Sequence, residues 1–173
     1  MISRRVLVAL PIFLFIYILQ EAFVVQMRFP AGGFSIILIF TLMWAALSTP
    51  EIGALTGFGA GLLMDLSQTA PGPMGQWTLV MIAVCYATAF LGYGDDNLRA
   101  NPFSLVFLVA GGVVASQFLF LLLGLLLGQA IGSIQQVLLI FAGTAFWSAI
   151  ITPLILPVVS GIHSEIYGTK NRI

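Results

Sequence analysis

Six apolar runs, divided by short segments that hold nearly all the charge, constrain this chain more than any single motif does. The hydrocarbon core of a bilayer is about 30 Å thick, so a crossing helix needs roughly 20 apolar residues. Hydropathy places candidate spans at Val6–Val25, Ala31–Leu47, Pro50–Leu66, Gly75–Tyr93, Pro102–Leu127 and Ile134–Val159. The second and third are short enough to be partly re-entrant. Only 7% of the 173 residues are charged and 60% are hydrophobic, whereas a soluble domain carries about 25% charge. So few charges cannot cover a water-facing surface, and lipid is the expected solvent. The expected fold is all-α: one polytopic transmembrane domain over residues 1–173, with about six helices in one bundle.

Breakers agree with this division. In Ser48–Glu51, Thr49 is placed as N-cap, Pro50 as the first helical residue and Glu51 in the first turn. Gln68–Gly75 is an uncharged proline–glycine loop, and Gly92–Pro102 is polar and ends in Asn101–Pro102, a helix start. Pro153 and Pro157 are expected to kink or end the sixth helix. Arg4 and Arg5 before an apolar run resemble an export signal, but the run outlasts a signal core and more spans follow, so an uncleaved first span is expected. With six spans, Arg4, Arg5, Arg99, Lys170 and Arg172 fall on one side and Arg28 alone on the other. The basic excess predicts both termini in the cytoplasm.

Several functions are disfavoured. The six basic residues form no patch, which argues against nucleic-acid binding. Cys85 is the single cysteine and His163 the single histidine, so no disulfide, zinc site or other metal or cofactor site is expected. No G-x-S-x-G, H-E-x-x-H or Walker pattern is present, and no catalytic residue is assigned.

The segment from Gly53 to Asp65 demands explanation. Gly53, Gly57, Gly61 and Asp65 are spaced by four, which makes one slanted stripe on a helix. The glycines form a groove that admits another helix at close range, within the bundle or from another protein. Gly59 lies about 160° away from Gly61 and permits a second close contact. Asp65 falls about 22 Å from Pro50, toward the extracytoplasmic end, where the macrodipole of its own helix opposes a carboxylate. Arg28, backbone amides of the following loop, and a residue of another protein are the candidate partners, unless headgroup water alone wets it. Glu21 and Arg28 are two turns apart and suit an interfacial pair. Gln117 interrupts the fifth span and suits a hydrogen bond across helices. His163 falls just beyond the sixth span.

Gly53, Gly57–Phe58, Gly61–Leu62–Leu63 and Asp65, followed by the turn around Pro73 and Gly75, resemble the third-span pattern of the rod shape-determining MreD family. Length and span count are also similar. The resemblance implies a non-enzymatic scaffold in the bacterial inner membrane that takes part in cell shape and peptidoglycan synthesis. Its implied partners are an MreC-like bitopic protein, an MreB-like actin homologue, and the glycan polymerase and transpeptidase of wall elongation, with the lipid bilayer around it. The alternative is a substrate-binding membrane subunit of a vitamin or small-molecule transporter, since the family's fold is similar to such subunits of energy-coupling-factor transporters. The first span here, however, lacks their A-x-x-x-A docking patch.

Overall fold

Glycine, proline and short capping side chains set where the helices begin. The computed structural model describes residues 2–27, 32–67, 72–94, 101–129 and 132–167. Helix α1 spans Ile2–Leu19 and runs on through a π-helical turn, Gln20–Val24, and a 3-10 turn, Val25–Met27. The others are α2 (Ile36–Leu47), α3 (Pro50–Asp65), α4 (Gln76–Gly94), α5 (Pro102–Leu126) and α6 (Ile134–Tyr167). The described residues contain no strand.

Helix α2 begins five residues later than hydropathy alone suggests. Gly32 and Gly33 hold φ of 87° and 63°, a left-handed conformation that a right-handed helix cannot contain. Ser35 then caps the helix, its hydroxyl accepting from Leu38 N at 3.3 Å. Thr49 precedes Pro50 as expected, but its side chain makes no capping bond. Asn101 does cap α5, accepting from Phe103 N at 3.1 Å.

The largest departure is α6. It neither stops at Val159 nor ends at its prolines, but continues unbroken to Tyr167, 34 residues in all. Pro153 and Pro157 lie on its exposed side. The local loss of backbone hydrogen bonds there does not end the helix. Inward, α6 presents a narrow stripe of Thr144, Ser148, Thr152, Val159 and His163. The Thr144 and Thr152 hydroxyls fold back onto the carbonyls of Ile140 and Ser148 at 2.8 and 2.6 Å, so they are satisfied within the helix.

Three helices, Gln76–Gly94, Pro102–Leu126 and Ile134–Ile166, are long and apolar enough to cross a membrane. The chain is accordingly read as a membrane protein. Helix α2 has a different place. It is only 12 residues long, about 18 Å at the rise of an α-helix. Every other helix touches it, and Ile37 through Ala46 are all buried. It is one regular helix, as is α3. Phe13 of α1 meets Phe40 and Trp44 of α2 edge-on, with ring centroids 5.2 and 5.7 Å apart. A short helix enclosed by protein has no bilayer thickness to match.

Candidate functional site

The glycine stripe closes on α4. A Cβ on Gly53 would sit 2.6 Å from Ala89 Cβ and 2.9 Å from the Cys85 carbonyl oxygen. On Gly57 it would meet Cys85 Cβ at 2.9 Å and run into the Met81 carbonyl oxygen. On Gly61 it would lie 2.5 Å from Thr78 Cα. Going up α3 in steps of four therefore goes down α4 through Ala89, Cys85, Met81 and Thr78. The two helices are antiparallel, and their backbones touch at successive turns. Close van der Waals approach of this kind replaces the hydrophobic drive that lipid does not supply between helices. Cys85 is fully buried in this contact, where a small side chain is needed.

Asp65 is the next step of the same stripe, and it lands on the first turn of α4. Its Oδ1 accepts from Trp77 N at 3.0 Å, and its Oδ2 accepts from Thr78 N at 2.9 Å and from Thr78 Oγ1 at 2.5 Å. The residue before α4 is Gly75, which has φ of 97° and no side chain with which to cap. Asp65 thus caps α4 from the neighbouring helix. Its charge sits at the positive end of the α4 macrodipole, which offsets its unfavourable place at the end of α3. Of the partners considered from sequence, the backbone amides are the ones found, at the start of the helix rather than in the loop. Arg28 lies outside the described residues.

Other polar side chains tie helix ends together at this end of the bundle. Gln20 Oε1 accepts from Ile36 N, the first amide of α2, at 2.7 Å. Ser67 donates to Glu21 Oε1 at 2.7 Å. Buried Gln76 donates through Nε2 to the Phe120 carbonyl at 2.8 Å and accepts from Gln129 Nε2 at 3.1 Å. Trp77 stacks on Phe120 with ring centroids 4.4 Å apart, which joins α4 to α5. Gln117 does not play the expected part: it is half-buried, and among the described residues no hydrogen-bond partner reaches it. Sequence reading chose the glutamine in the middle of a run, whereas those at the ends of runs carry the contacts.

His163 is at the opposite end, within α6 rather than beyond it. It is buried against Trp44, with ring centroids 5.1 Å apart, and its Nε2 lies 3.1 Å from Ser48 Oγ. The Ser48 hydroxyl already donates to the Trp44 carbonyl at 2.7 Å. The imidazole tautomer sets which of the two groups, His163 or Ser48, donates. This bond fixes the end of α2 against α6. Among the described residues, no three of His, Cys, Asp and Glu come together in a group able to hold a metal ion.

The outer face of α3 is open. Between it and α1 runs an apolar groove of about 360 Å³, floored by Ala9, Gly59 and Ala60. Comparison with family models, curated proteins and solved structures gave no match.

Proposed function

We propose that the chain is a non-enzymatic scaffold of the MreD kind in the bacterial inner membrane. All six helices then lie in one membrane bundle with both termini on the cytoplasmic side, the arrangement the basic residues favour. Its task is to hold wall-elongation proteins together, with an MreC-like bitopic protein, an MreB-like actin homologue, and the glycan polymerase and transpeptidase as partners.

The observation that carries this reading is the α3–α4 hairpin. Gly53, Gly57, Gly61 and Asp65, which bear the family resemblance, all lie along one contact that makes the hairpin rigid. Gln20, Ser67 and Gln76 join helix ends, which suits a binding framework. The glycines face α4, so partner spans would dock on other faces, and the hairpin would act by fixing those faces in place.

The test is affinity capture of the tagged chain from its own membrane, with wild type and Asp65→Ala at matched expression. Wild type is expected to bring down the MreC-like protein and the wall polymerase, and the variant less of both. Capture of an ATPase with its membrane transducer, and of no wall protein, would replace this reading with the transporter one.

A further inference from the structure

The outer face of α3 carries a glycine with no use inside the chain. A Cβ built on Gly59 would meet no atom within 4 Å, and the residue is exposed. A glycine in mid-helix costs stability relative to alanine, and here no internal contact offsets it. What the missing side chain does is deepen the groove against α1, between Leu10 and Leu14 on one side and Leu55 and Leu62 on the other.

The dimensions of the groove narrow its occupant. Its α3 wall, Leu55 to Leu63, rises about 12 Å. That is close to the depth of one leaflet, about 15 Å if half the hydrocarbon core is taken. A membrane-crossing helix would overrun it, whereas a single acyl chain matches it. Helices α1 and α3 run parallel here, and one to two turns past the groove their side chains meet in a polar cluster. Ser67 donates to Glu21 Oε1 at 2.7 Å, with the Tyr17 phenol close to both. A carboxylate has about four acceptor sites, so the half-buried Glu21 retains capacity for further donors. The order along the surface is thus hydrocarbon groove, then phenol and hydroxyl, then carboxylate, which matches an amphiphile whose polar head ends in an ammonium.

We infer that this face is a lipid site: the groove seats one acyl chain from the leaflet on the Glu21 side, and Glu21 selects a headgroup bearing a primary ammonium, as in phosphatidylethanolamine. The site stands apart from any role in wall synthesis. The test uses the full chain in nanodiscs that contain phosphatidylethanolamine or phosphatidylglycerol, each with a photoreactive acyl chain, and peptide mapping of the label. Label is expected on the α1 and α3 walls, with phosphatidylethanolamine favoured roughly fivefold, the scale of one partly exposed charge contact. Gly59→Leu and, independently, Leu62→Trp should each remove most of that label. Gly111→Leu, at an exposed α5 glycine with open space around it, should leave it unchanged. Glu21→Gln should retain the label but equalise the two lipids. Label spread evenly around the bundle, or persisting when the groove is filled, would overturn the site. A headgroup preference absent from wild type or unchanged in Glu21→Gln, as when Arg28 already neutralises the carboxylate, would overturn the selection. Crosslinking of this groove to a protein span in native membranes would assign it to a different occupant.

Discussion

Helix α3 has two glycine-bearing faces, and they behave in opposite ways. Gly53, Gly57 and Gly61 are sealed against the α4 backbone, where no side chain fits. A Cβ on Gly59, on the other side of the same helix, would meet no atom within 4 Å. The residue type and the helix are the same, so the difference comes from the neighbour. On the sealed face a run of small and backbone surfaces on α4 meets the glycines in register, and Asp65 locks that register. On the open face α1 stands off and leaves a groove. A glycine pattern in a membrane helix therefore marks close approach only where a second surface is shaped to receive it.

The sealed face should be the more sensitive. Gly57→Leu is expected to have the largest effect, beyond the roughly 1–3 kcal/mol typical of overpacking, because the obstacle is the Met81 carbonyl rather than a movable side chain. Thermal unfolding in detergent would measure it, and a melting point equal to wild type would break the comparison. Asp65→Ala should follow at about 1.5–3 kcal/mol, since two α4 amides and the Thr78 hydroxyl lose a charged acceptor. Faster hydrogen exchange at Trp77 and Thr78, with exchange at Ala89 unchanged, would distinguish a lost cap from general loosening.

Away from α3, Ser48→Ala removes the hydroxyl that hydrogen-bonds the buried His163 and should cost about 1–2 kcal/mol by the same unfolding assay. The smallest effect should have the reverse sign. Gly59→Ala adds a methyl in open space, so it should stabilise by up to about 1 kcal/mol through helix propensity. Destabilisation there would mean that the open face is also packed.

Periodicity and breakers made much of this legible in the sequence. The positions of α3, α4 and α5 follow from Pro50, the glycine–proline turn before Gln76, and Asn101–Pro102, because these residues act locally on the backbone. The four-residue spacing also predicted the stripe. Its target was not legible, because packing within a bundle and packing between proteins require the same small residues. The start of α2 was hidden because hydropathy does not register the positive φ of Gly32 and Gly33. The length of α6 was hidden because the effect of a proline depends on which face it occupies, a tertiary fact. Gln20 and Gln76 looked like ordinary ends of apolar runs, and their partners lie 16 and 44 residues away in the chain.

The enclosure of α2 has a consequence for biogenesis. Its walls include α4, α5 and α6, all of which leave the ribosome after it. In the proposed six-span arrangement, a helix of about 18 Å would wait in a bilayer of about 30 Å without its final surroundings while the second half of the chain is being made. Nascent chains cut short after α3 should therefore be recognised as incomplete by membrane quality control, while the finished chain conceals the signal.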